Sequence, residues 1–373
     1  MAQLLTRLDV RGAGPRLRSL LPGPPRSSGD PTAAVRAILD EVRAGGDQAL
    51  RDLTARFDGV QLGALRVPAH RLKSALGDIA APLREALEVA RDNIERYHRS
   101  QAHESPTYSH NGLVVRELRR PVDRAGVYVP GGTAPLASTV LMTAVIARVA
   151  GVSEVALCCP PGPDGVPPPA VLAAAALAGV DEVYALGGAQ AVAAMAYGTE
   201  SVRSVDLIVG PGNRYVATAE RLVATDGVVG VPSAFTGPSE VVVVADATTS
   251  PELAAIDLVV QAEHGPDGLS YLVTWSEEAE AAISAHVDDL TAASPRRAAI
   301  RATLDSGGYS VLVDGPEQAM EVANILAPEH LELMCEGAES LVELVRAAGA
   351  VFVGPWAPAS VGDYLAGPSH VLP

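Results

Sequence analysis

The sequence predicts an α/β protein of two Rossmann-like lobes with mostly parallel sheets, and an N-terminal helical segment packed on the second lobe. Three observations predict this. From residue 126 onward, short apolar runs alternate with helical stretches, which is the pattern of βα units joined by crossovers. The alternation comes in two series, broken at residues 230–238 (GVPSAFTGP). The 373 residues exceed one ordinary domain, so two lobes are the natural division.

The elements follow in order. Residues 22–31 (PGPPRSSGDP) read as a linker that ends in an N-cap, Asp30, and a first-turn proline, Pro31. The next helix carries Val35, Ile38, Leu39 and Val42 on one face and is stopped by Gly45 and Gly46. A second helix is predicted over 47–57, and a longer third carries Leu83, Leu87, Ile94 and Tyr97 on one side. Residues 99–112 read as a polar connection. The first hundred residues contain no convincing strand, so their helices are expected to cover a sheet built elsewhere.

The first βα series has the runs AGVYV, SEVALCC, DEVYALG and VDLIVG, with helices expected over 136–149, 168–179, 189–197 and 213–224. The second has EVVVVAD, LSYLVTW, YSVLVDG and AVFVG, with helices over 250–263, 277–289, 315–325 and 338–348. The repetition is consistent with an old duplication. Residues 126–235 are expected to form one lobe, and residues 1–125 plus 236–373 a discontinuous second.

Composition narrows the function classes. Apolar residues at 48% and charged residues at 19% describe a globular chain rather than a disordered one. A net charge of −16 repels phosphates and anionic headgroups, so neither nucleic acid nor a membrane is an expected partner. No stretch reads as a bilayer span or a signal peptide. Cys158, Cys159 and Cys335 form neither a disulfide framework nor a CxxC pair, which points to a reducing compartment and a cytoplasmic location.

Several segments carry residues suited to chemistry. Tyr128-Val-Pro-Gly-Gly132, Gly187-Gly-Ala-Gln190 and Gly210-Pro-Gly-Asn213 are glycine loops between strand and helix. Such loops favour anions, because the backbone approaches closely and the helix start offers free N–H groups. Any one of them can simply turn the chain. Three in succession, with Tyr128, Gln190 and Asn213 as polar side chains, point to a dinucleotide at strand carboxyl ends. Gln261 and His264 stand three apart at the end of a helix, where an oxygen and an imidazole can hold zinc, or the His can simply answer the helix dipole. Glu329 and His330 set a carboxylate beside an imidazole, suiting acid–base work, or else mark a helix start at Pro328. Asp363 and His370 lie in a Gly/Pro-rich segment of the kind that forms sites or plain loops. Cys158 and Cys159 close a strand with no nearby cation to activate a thiolate, and read as core.

In combination, GVYVPGG, LGGAQAV, GPGNRYV, GPSEVVVVAD, QAEH, PEHLEL and GDYLAGPSHVLP resemble the histidinol dehydrogenase family, in the family's order and over nearly the whole chain. The resemblance implies oxidation of L-histidinol to L-histidine through L-histidinaldehyde with two NAD, in a homodimer with one zinc per site. It implies that Tyr128, Gln190 and Asn213 bind NAD. It implies that Ser239, Gln261, His264, His330, Asp363 and His370 line the substrate pocket. Gln261, His264 and Asp363 would hold zinc, and Glu329 and His330 would be the acid–base pair. Two departures stand out: Ser233 replaces a usual Asp, and the sequence stops at Pro373, where family members continue into a tail that supplies a further zinc ligand and a substrate contact to the partner. A relative that oxidises another amino alcohol, or a catalytically impaired homologue, is the alternative reading.

Overall fold

The structure is a computed structural model, and it describes residues 3–23, 29–102, 105–132, 134–232, 239–263, 265, 268–370 and 372. In chain order the strands are β1 (Thr6–Asp9), β2 (Thr107–His110), β3 (Leu113–Arg116), β4 (Arg124–Tyr128), β5 (Glu154–Cys159), β6 (Glu182–Ala185), β7 (Leu207–Val209), β8 (Glu240–Ala245), β9 (Leu269–Thr274), β10 (Gly308–Leu312), β11 (His330–Leu333) and β12 (Ala350–Val353). Every predicted βα strand is present. The chain divides into two units: residues 1–28, 237–361 and 372–373 in one, and residues 29–236 and 362–371 in the other.

The unit of residues 29–236 is built on a parallel sheet in the order β6-β5-β4-β7. Numbered within the unit, this is 3-2-1-4, the order of one half of a dinucleotide fold. β4 is buried along its whole length, as expected of a strand covered by helices on both faces. One cover is the helix Thr32–Asp58, which bends at Gly46 (φ 53), where two separate helices are predicted to meet. Its Val35, Leu39, Val42, Leu50 and Leu53 share a core with Val192, Met195 and Val216. The helix Ala81–Ser100 sends Leu87 and Ile94 into a core with Val140, Leu141 and Leu157 on the other side. Each such aliphatic side chain, fully buried, contributes about 1.5–3 kcal/mol.

These helices correct the expected domain boundary. They belong with the first βα series and not with the second lobe. The apolar stripe of an amphipathic helix shows that a face is buried but not which sheet buries it. A second correction is the β2–β3 hairpin, which begins inside the expected polar connection.

The other unit holds a six-stranded parallel sheet in the order β1-β10-β9-β8-β11-β12. From β8 the same numbering gives 3-2-1-4-5, so the two units repeat one winding order. β1 adds an edge strand beside β10. The sequence offered no signal for it, because TRLD is nearly all exposed. The helix Arg297–Gly307 was likewise not predicted, and the predicted helix over 338–348 is only a turn, Ala338–Leu341, followed by Val342–Leu344. No helix of the described residues is long and apolar enough to cross a membrane.

Candidate active site

In the unit of residues 29–236, strands β4 and β7 stand side by side, while β5 and β6 continue from β4 in the opposite direction. The strand order therefore reverses between β4 and β7, and ligands of open α/β sheets bind at the carboxyl ends beside such a switch. A pocket of about 1140 Å³ lies there, lined by Tyr128, Gly131, Gly188, Gln190 and Asn213 among others. The structure thus brings the three sequence-predicted residues Tyr128, Gln190 and Asn213 to one cavity.

Local chemistry explains each placement. Tyr128 ends β4 and is 3% exposed, and burial holds its phenol well above the usual tyrosine range. Its hydroxyl accepts a hydrogen bond of 3.0 Å from the Gly188 N–H. Gly188 has φ +65, which a side chain would strain, and starts the helix Gly188–Tyr197 that carries buried Gln190. Asn213 caps the helix Arg214–Thr225, its Oδ1 accepting from the N–H groups of Tyr215 (3.0 Å) and Val216 (3.2 Å). Gly210, at φ +133, lets β7 end directly against the Tyr128 carbonyl, where a Cβ would collide. Cys158 and Cys159 are buried free thiols, and burial drives Cys159 up to about 12, so neither is primed as a nucleophile.

The unit containing residues 237–361 gathers a second group at the amino ends of its strands. β8 and β11 run parallel, with His330 opposite Val241. Ser239 and Glu329 each precede a strand, so they meet, and the Ser239 hydroxyl donates to Glu329 Oε2. Glu329 Oε2 lies 3.8 Å from His330 Nδ1. His330 is 6% exposed, with its ring 6.0 Å from that of Phe352 on β12. A helix start at Pro328 is not what forms here; the chain enters β11 instead.

Glu240 joins this group. Its Oε2 accepts the Glu329 N–H at 3.3 Å, and burial together with the Glu329 charge raises its carboxyl to about 7. Sequence reasoning missed it, since a Glu opening an apolar strand reads as an ordinary edge residue. Gln261 is buried in the last turn of the helix Pro251–Ala262, which returns from β8 toward the amino ends of the sheet. His264 and Ser233 lie outside the described residues.

Asp363 and His370 belong to the first unit, as part of its segment 362–371. There the turn Gly362–Ala366 is tied to the helix Ala81–Ser100 by the Asn93 amide, which donates to the Leu365 carbonyl at 2.8 Å. His370 Nδ1 lies 3.1 Å from the Asp363 carbonyl oxygen. Among the described residues no group of three or more His, Cys, Asp or Glu could hold a metal ion. Of the predicted zinc set, Gln261 and Asp363 are among the described residues and His264 is not.

Chemically, the first group offers a roomy anion-tolerant cavity and the second a hydroxyl, two carboxyls and an imidazole in contact. Comparison with known proteins sets both in a family. A sequence model described as histidinol dehydrogenase matches residues 24–373. A histidinol dehydrogenase from Parasynechococcus marenigrum is 47% identical over 345 residues, 92% of this chain and 78% of that protein. One from Thermus thermophilus is 46% identical over 350 residues, 92% and 82% of the two chains. The crystal structure of histidinol dehydrogenase from Elizabethkingia anophelis superposes with a TM-score of 0.95 at 33% identity, covering all of this chain and 86% of that one.

Proposed function

Because the chain belongs to the histidinol dehydrogenase family of oxidoreductases, we propose that it oxidises L-histidinol to L-histidine through L-histidinaldehyde with NAD. The observation that carries the mechanism is the contact of Ser239, Glu329 and His330 at the amino ends of β8 and β11.

NAD, when bound, accepts the hydride released in each oxidation. Its proposed site is the pocket at the carboxyl end of β4, whose volume suits a large ligand and whose glycines admit a pyrophosphate against backbone. Tyr128, Gln190 and Asn213 are the polar side chains assigned to it. His330 takes the carbinol O–H proton as hydride leaves the carbon. For the second oxidation Glu329 takes a proton from the water that adds to the aldehyde carbon, while His330 returns the proton it took in the first step to the aldehyde oxygen, giving the hydrate and a neutral imidazole. His330 then takes a hydroxyl proton from that hydrate. Ser239 orients the Glu329 carboxyl by donating to Oε2. Glu240, whose carboxyl burial raises to about 7, sets less negative charge beside Glu329 than an ordinary carboxylate would.

Gln261, His264, Asp363 and His370 are assigned to the substrate, and the first three to zinc, on family grounds. Zinc takes His nitrogen and carboxylate oxygen, so His264 and Asp363 suit it, with Gln261 as a further oxygen donor; bound there, it would orient the substrate. A homodimer in the cytoplasm is the matching proposal for assembly and place. The test is to incubate the chain with histidinol, NAD and zinc, following NADH and identifying the product. Histidine formed with two NADH for each histidinol supports the reading. NADH formation from other amino alcohols but not from histidinol would overturn it.

A further inference from the structure

Asp58 lies on the wall of the pocket assigned to NAD, and the catalytic account leaves it without a role. It is the last residue of the helix Thr32–Asp58, and it lines the cavity with Tyr128, Cys159, Gln190 and Asn213. Burial raises the Tyr128 phenol and the Cys159 thiol, and the Asp58 charge adds to both, as fits a carboxylate close to the carboxyl ends of β4 and β5.

That location has a meaning in this fold. In a 3-2-1-4 half, an acidic side chain associated with the second strand receives the adenosine ribose hydroxyls. Here the second strand is β5, and it ends in Cys158 and Cys159 followed by Pro160 and Pro161. β5 carries no carboxylate at this end, whereas Asp58 reaches the same corner from a different element.

The state of the side chain fits a ligand contact. Asp58 Oδ2 is buried and has no protein hydrogen-bond partner. Burial alone raises its pKa, and no cation offsets it. Arg56, on the same wall, keeps its guanidinium 5.0 Å from the centroid of the Phe57 ring. Two other aspartates of this unit are satisfied: Asp47 accepts from Thr199 and Ser201, and Asp30 from Thr32. An unpaired buried acceptor is costly, and a ribose diol supplies the donors that relieve it. A 2′-phosphate in the same place would meet like charge.

We propose that Asp58 receives the adenosine ribose hydroxyls and makes the pocket reject a 2′-phosphorylated dinucleotide. This rests on the reading of that pocket as the NAD site. The experiment is calorimetric titration of the chain, and of its Asp58→Asn, Asp58→Ser and Asn213→Ala variants, with NAD and with NADP. The unmodified chain should bind NAD at least about tenfold more tightly than NADP, and both Asp58 variants should shrink that preference by about tenfold or more, since specificity is a difference of two affinities. Asn213→Ala should weaken both ligands together. An unchanged NAD-to-NADP ratio in folded Asp58 variants, with weakened binding in Asn213→Ala, would overturn the role of Asp58 alone. NAD binding untouched by Asn213→Ala and by both Asp58 variants would overturn the pocket assignment with it.

Discussion

At the scale of residues, the proposed chemistry rests on four residues gathered at the start of two strands. Ser239 donates to Glu329, Glu329 lies 3.8 Å from His330, and Glu240 accepts the Glu329 backbone N–H. Only the second oxidation needs an activated water. Glu329→Gln should therefore slow aldehyde oxidation on the order of a hundredfold while slowing alcohol oxidation far less, general-base effects being typically of that size or larger. Separate assays of the two half-reactions check this, and equal losses would reduce Glu329 to a group that orients His330. Glu329 and His330 were legible in the sequence because PEHLEL is specific in its company. Glu240 was not, since its raised pKa comes from burial and from a neighbour 89 positions away.

At the scale of elements, glycine loops and a helix cap shape the pocket proposed for NAD. Gly210 carries φ +133 and ends β7 against the Tyr128 carbonyl. Gly210→Ala adds both backbone strain and a collision, and should cost about 2–4 kcal/mol. Chemical denaturation reads this directly, and a stability equal to the unmodified chain would show that the close approach is not required. The helix after that loop holds Glu220, 1% exposed, whose Oε1 has no partner and whose carboxyl is raised by burial from 4.5 to about 8. The folded chain then holds a proton that the unfolded chain releases between those values, so this group lowers stability as pH rises from about 4.5 to about 8. Glu220→Gln should match the parent near pH 4 and exceed it by on the order of 2–4 kcal/mol near pH 9. Melting both proteins across that range tests it, and a constant difference at all pH values would refute it. The βα strands were readable because buried parallel strands are continuous apolar runs. β1 and β2 are exposed and mostly polar, and β3, Leu113–Arg116, is an exposed run of only four residues, so none reads as a continuous buried strand.

At the scale of the whole molecule, two units repeat the order 3-2-1-4, as expected of a duplicated fold, and the proposed function gives them different tasks. One offers its glycine loops at strand carboxyl ends, where dinucleotides bind. The other places its reactive carboxyls and imidazole at strand amino ends. The repeat was visible in the sequence as two βα series. The allegiance of the leading helices was not, because Val35, Leu39 and Val42 could have faced either sheet until their partners Val192 and Met195 were located. In the proposed mechanism His330 performs proton transfer without holding the cofactor. The most direct measurement is turnover of histidinol and of histidinaldehyde by His330→Asn, made alongside NAD titration of the same protein. Both oxidations are expected to fall by at least about a hundredfold while the NAD dissociation constant stays within about twofold of the parent value. Near-normal turnover on either substrate, or loss of NAD binding that matches the loss of activity, would contradict it.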